Sequence, residues 1–197
     1  MEPTHPHLIL GYHGCDHDVA ERVFAGRDHL MESENPYDWL GHGTYFWENS
    51  PARALQYAQH LRDKPRRGRP RIQSPAVVGA IIDLGTCLNL LDESSIALVA
   101  AAYHGLQRET AANGVPLPQN ASGGSPDDLL VRYLDCAVIE YLHSSLGSDH
   151  SFDSVRSAFV EGPRLYPQAG FHQRTHIQIC VRTPERILGY FRPRTRA

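Results

Sequence analysis

Residues 76–84, AVVGAIIDL, constrain the fold of this chain more than any other stretch. The run is dense in β-branched residues and is bounded by Pro75 and Gly85, so it reads as a buried strand. A strand of that kind needs partners, and the chain offers them near both ends. His7 to Tyr12 (HLILGY) is a short apolar run that reads as a strand turning at His13-Gly14. Thr175 to Arg182 (THIQICVR) alternates, with Ile177, Ile179 and Val181 on one face and His176, Gln178 and Cys180 on the other. Ile187 to Phe191 follows as a further strand after the turn at Thr183-Pro184.

Helical signals are grouped between these strands. Asp16 or His17 starts a helix through Phe24 that Gly26 closes. Pro51 begins another, behind Asn49 or Ser50 as its cap, running to about Arg62 with Ala54, Leu55 and Ala58 inward. Asp92 to Ala112 reads as a third, with Ile96, Leu98, Val99, Ala102 and Leu106 on its apolar face. Ser125 and Pro126 start a fourth, whose core stripe is Leu130, Leu134, Ala137, Val138, Tyr141 and Leu142. Strands at both ends with helices between them give no βαβ rhythm, so the order predicts an α+β domain with mostly antiparallel sheets. At 197 residues, one domain spanning 1–197 is expected.

Three segments read as connections. Arg27 to His42 is polar and irregular, a long functional loop. Residues 62–75 form a basic loop carrying Arg62, Lys64, Arg66, Arg67, Arg69 and Arg71 among four breakers, Pro65, Gly68, Pro70 and Pro75. Residues 113–126, around PLPQNASGGSP, read as a flexible link, and Phe152 to Phe171 as a loop-rich approach to the next strand.

Composition narrows the function classes. A formal charge of -3 selects no partner, although the basic loop and the tail Arg192 to Arg196 suit contacts to phosphates. Cys15, Cys87, Cys136 and Cys180 form no C-x-x-C pair and read as buried thiols of a reducing, cytoplasmic compartment. No apolar run is long enough to span a bilayer, and the twelve histidines include no H-x-x-x-H on a helix with an acidic partner, so neither membrane nor metal is expected. G-x-G-x-x-G, Walker and G-x-S-x-G motifs are absent, which leaves any nucleotide to another geometry.

The stretch LGHGTYFWENSPARALQYA, residues 40–58, suggests that geometry. Gly41 and Gly43 free the backbone ahead of an extended Thr44 to Trp47, and Pro51 starts the helix directly behind it. Together with Tyr12-His13-Gly14 and Thr175-His176-Ile177-Gln178, this stretch resembles the three motifs of the ADP-ribosyltransferase family of the diphtheria-toxin and poly(ADP-ribose) polymerase type, its His-Tyr-x class. The resemblance is strict only over the three motifs, though the order of elements follows it from His7 to Phe191.

That resemblance implies two packed sheets forming an NAD-binding cleft with helices grouped around it, and NAD+ as a substrate without a metal. It implies that His13 bonds a ribose, Gly14 lets the backbone reach the carboxamide, and Tyr45 stacks on the nicotinamide. Phe46 would anchor the strand in the core, Trp47 would stand at the rim, and Tyr57 would be a second aromatic wall. Arg53 stands where the family commonly has serine, among the cofactor contacts. His176 occupies the place of the family's glutamate, Gln178 shares its face, and Glu161 in FVEGP is the nearest acid, with Glu48 a weaker candidate. Without that glutamate the resemblance implies single transfers: a mono-ADP-ribosyltransferase, toxin-like, acting on nucleic acid or protein. A silent module that binds NAD+ or ADP-ribose, or a related RNA 2'-phosphotransferase, are the alternatives.

Overall fold

Two long strands, β1 (Leu8–Asp16) and β3 (Pro75–Asp83), pair antiparallel along their whole length, from Leu8 opposite Asp83 to Asp16 opposite Pro75. The turn expected at His13-Gly14 is therefore absent, and β1 continues to Asp16, which starts the first helix. The computed structural model describes residues 8–65, 70–121, 131–147 and 151–194. Within them α1 (His17–Phe24) is capped by the Asp16 carboxylate, which accepts the Asp18 N–H at 3.0 Å and also those of Gln73 and Ser74.

β2 (Thr44–Glu48) leads through Asn49, at φ 50°, into α2 (Pro51–Asp63), with Pro51 in the first turn. Ser50 precedes it without a side-chain capping bond. After β3 come β4 (Cys87–Asn89) and α3 (Glu93–Ala112), then a two-residue ribbon of β5 (Asn120–Ala121) with β6 (Val131–Arg132), and α4 (Tyr133–Leu146). β7 (Ser154–Phe159), β8 (His176–Val181) and β9 (Ile187–Phe191) complete the chain.

The fold is α+β, but its strands form one seven-stranded sheet in the order β4-β7-β8-β2-β1-β3-β9, with the small ribbon apart, in place of two packed sheets. All neighbours are antiparallel except β4 and β7. The sheet has a seam: β1 and β2 pair only at Gly11–Glu48 and Tyr12–Trp47, and beyond Tyr12 they part. Two half-sheets are thus joined by one short ladder, so the expectation of two packed sheets misstates the topology.

Each face of the sheet carries a core. Under α1 lie Phe46, Val78, Ala80, Ile82, Ile179 and Val181; under α3 and α4 lie Leu88, Val138, Ile139, Leu142, Val155 and Cys180. Phe46 is fully buried, as its place in the motif suggested, which contributes about 1.5–3 kcal/mol. Strand β8 is covered on both faces, so Cys180 is as buried as its apolar neighbours.

Three other expectations change. β7 lies inside the segment read as loop-rich, its alternation masked by Arg156, whose guanidinium is neutralised by both Glu48 oxygens at 2.6 and 3.0 Å. That bond makes Glu48 a staple between β2 and β7. Ile96 and Leu98 of α3 are exposed, and the helix packs through Ala102 and Gly105, the latter beneath the Tyr141 ring. The fourth helix begins at Tyr133, where Asn120 Oδ1 accepts the Leu134 N–H at 2.9 Å; the expected start at Ser125-Pro126 lies outside the described residues. Arg66, Arg67, Arg69 and the Arg196 end of the tail also lie outside them.

Candidate active-site cleft

Where β1 and β2 part, a cleft of about 630 Å³ opens, and residues from all three motif segments line it. His13 and Gly14 come from β1, Tyr45 and Trp47 from β2, Arg53 and Tyr57 from α2, Glu161 from the loop after β7, and Gln178 from β8. His60 and Arg174 stand among them, as does the 31–39 loop, including Asn35, Asp38 and Trp39. Of the catalytic and cofactor candidates expected from the sequence, His176 and the weaker candidate Glu48 are not on the lining.

His13 bridges the parted strands. Its Nδ1 lies 2.8 Å from the Tyr45 carbonyl oxygen, which can only accept, so Nδ1 carries the proton. Burial holds the ring below the ordinary histidine pKa, against the pull of that hydrogen bond. The ring is therefore neutral at pH 7, and Nε2 is an acceptor.

Tyr45 is fixed at both ends. Its backbone carbonyl accepts the His13 Nδ1–H, while its hydroxyl donates to the Gly41 carbonyl at 2.8 Å and accepts the Leu40 N–H at 3.0 Å. Burial pushes the phenol far above its usual value, so it stays protonated. The hydroxyl is thus committed to the turn at 40–41, and the ring is what Tyr45 offers to the cleft.

Trp47 is not at the rim. It is 4% exposed and forms the floor, 4.9 Å from the Tyr57 ring and 6.4 Å from that of His176. His176 lies behind this floor, between Trp47 and Phe159, with Nδ1 at 2.6 Å from the Arg174 carbonyl. Burial above all lowers its pKa, and the nearby Arg53 and Arg174 charges add to that effect against the carbonyl bond. A neutral imidazole turned into the aromatic floor cannot stand in for a carboxylate at the cleft surface.

The acidic group at this end is Glu161, only 8% exposed, with Oε2 at 3.1 Å from Arg53 Nη2. Burial pulls the Arg53 guanidinium below its usual pKa, Glu161 opposes the drop, and Arg174 adds to it. Arg53 Nε, Trp47 Nε1 and His176 Nε2 are buried without a hydrogen-bond partner, which places unsatisfied polar atoms in and beneath this end of the cleft.

Gly14 lines the cleft through its backbone, but the reason for glycine differs from the one expected. A Cβ there would lie 2.1 Å from the Ala54 carbonyl oxygen, so the missing side chain admits α2. Trp39 and Arg174 escaped the sequence reading: Trp39 sits in an irregular loop without periodicity, and Arg174 directly precedes the third motif. Adjacency to that motif was the one signal available for Arg174.

Among the described residues no group of three or more His, Cys, Asp or Glu side chains gathers as metal ligands, and no helix is long and apolar enough to cross a membrane. No family model, curated protein or solved structure matches the chain.

Proposed function

We propose that this protein is a mono-ADP-ribosyltransferase that moves ADP-ribose from NAD+ to a macromolecular acceptor, a nucleic acid or a protein. One observation carries the reading: His13, Gly14, Tyr45, Arg53, Tyr57, Glu161 and Gln178, separated by up to 165 positions, line a single cleft at the seam of the sheet. In this reading NAD+ enters between the half-sheets. The His13 Nε2 accepts a hydrogen bond from a ribose hydroxyl, and the faces of Tyr45 and Tyr57 flank the nicotinamide, each stack contributing about 0.5–1.5 kcal/mol beyond burial.

The bond between nicotinamide and ribose breaks with positive charge developing on the sugar, and an acceptor nucleophile closes on the same carbon and loses its proton. In this reading Glu161 favours that charge and receives that proton, and Gln178, also on the cleft lining, offers a hydrogen-bonding amide. Glu161, not His176, takes the acidic role.

A second reading, a silent module that binds NAD+ without turning it over, draws on the Arg53–Glu161 ion pair, which neutralises the only acid assigned to the chemistry. Incubation with labelled NAD+ and separate pools of DNA, RNA and lysate protein decides between them. Transfer of label to one pool with release of nicotinamide supports the enzyme. Binding without release supports the module, and neither binding nor release sinks both.

A further inference from the structure

The Tyr45 hydroxyl is held by the Leu40 N–H and the Gly41 C=O. Those two groups belong to a turn that is itself gripped from outside the cleft. Glu140 of α4 accepts the His42 N–H at 2.8 Å, and Arg182, just past β8, donates to the His42 carbonyl at 3.0 Å. Glu140 and Arg182 bind each other through both oxygens, at 2.5 and 3.1 Å.

The grip is tight against the chain. Gly41 sits at φ +80°, and a Cβ on it would meet Glu140 Oε1 at 2.4 Å and Arg182 Nη1 at 2.8 Å. Gly43 is fixed in turn by paired bonds with Ser33, at 2.8 and 3.0 Å. Neither Glu140 nor Arg182 lines the cleft.

The geometry points to Glu140 and Arg182 as a positioning clamp for the Tyr45 ring, acting through the 40–42 turn and the Tyr45 hydroxyl on a ligand that neither residue touches. The link to NAD+ rests on the function proposed above; the link to Tyr45 does not. An ion pair that merely stabilises the fold would shift melting temperature without changing how Tyr45 meets a ligand. A clamp changes both, and its effect runs through one hydroxyl.

Glu140→Gln keeps the side-chain shape and removes the charge; Tyr45→Phe keeps the ring and removes the hydroxyl. Two readouts separate the outcomes. The first is amide exchange at Leu40, whose N–H is bonded to Tyr45 and not to the clamp. The second is the Kd for NAD+ read from tryptophan fluorescence, which is specific here because the chain has two tryptophans and both line the cleft.

Glu140→Gln is expected to speed Leu40 exchange about tenfold or more and to raise the NAD+ Kd about three- to tenfold, toward the lower end of couplings between contacting residues. In the Tyr45→Phe background the same substitution should change Kd by less than about twofold, because the connecting hydroxyl is already gone. Leu40 exchanging at the wild-type rate overturns the clamp whatever NAD+ does. So does an unchanged Kd in Glu140→Gln, or effects that simply add in the double variant. Wild-type protein that ignores NAD+ while Leu40 exchange still rises in Glu140→Gln refutes the transferase reading and leaves the clamp standing. Should Glu140→Gln fail to fold, Arg182→Lys, which keeps the charge and loses the forked geometry, takes its place with the same criteria.

Discussion

Gly14→Ala separates two explanations for a glycine beside the cleft. A Cβ at this position would lie 2.1 Å from the Ala54 carbonyl oxygen, 2.9 Å from its carbon and 3.2 Å from the Ala58 Cβ. Ordinary contact begins at about 3.5 Å, so the start of α2 would have to move by more than an ångström. The obstacle is helix backbone, which cannot rotate away as a side-chain tip can. Overpacking of this kind costs about 1–3 kcal/mol, and the upper end is expected here. For a chain of this length each kcal/mol lowers Tm by roughly 2–4 °C, which gives a fall of about 6–12 °C. Thermal unfolding followed by circular dichroism measures it. A Tm within a degree of wild type, accompanied by lost NAD+ binding, would refute the packing argument and restore the view that glycine is needed for ligand access.

Three further outcomes follow from the same geometry. His13, His143 and His176 all have pKa values lowered chiefly by burial, so the unfolded chain takes up protons below about pH 6.5 that the folded chain refuses; stability is full above that pH and is lost as pH falls toward the folded values, at about 1.4 kcal/mol per histidine per pH unit. A flat Tm between about pH 7.5 and 5.5 would contradict this. Arg53→Ala removes one partner of the buried Glu161 carboxylate and should cost about 3 kcal/mol, with Glu161→Gln in the same chain recovering most of it; a double variant no more stable than Arg53→Ala would show the two are not coupled. Tyr45→Phe leaves the Leu40 N–H without its acceptor and is expected to cost about 1–3 kcal/mol in denaturant unfolding, whereas a loss below about 0.5 kcal/mol would mean the hydroxyl is not holding the turn.

What the sequence made legible follows from the range of each signal. Local signals survived: the β-branched run at 76–84 lies across β3, Pro51 does start α2, and the alternation at 175–182 does mark β8. Signals that depend on distant partners did not. Arg156 and Ser154 make β7 look polar because their partners, Glu48 and the Leu84 carbonyl, are far away in sequence. The same limit acted on the site. A period of two placed His176 and Gln178 on one face correctly, since they pair with Phe159 and Ser157 of β7 two positions apart. It could not tell that Trp47 covers the first and leaves the second at the cleft, because that depends on a ring from another strand.

The cleft and the fold share one cause. Past Tyr12 the ladder between β1 and β2 stops, and the Tyr45 carbonyl, which in a continuous sheet would be paired with backbone, would be left without a donor. The His13 ring supplies that donor, and in doing so it spans the gap between the strands that have separated. On the other side of β1, the absence of a side chain at Gly14 brings α2 onto the strand and carries Arg53 and Tyr57 to the opening. Two consecutive residues therefore hold the seam open and furnish its walls: one fills the gap in the ladder, and the other admits the helix. Substituting His13 should disturb the Tyr45 backbone as well as any ligand contact, so a loss of NAD+ binding in a His13 variant identifies a ligand-binding imidazole only if Leu40 exchange, the local readout of Tyr45, stays at the wild-type rate.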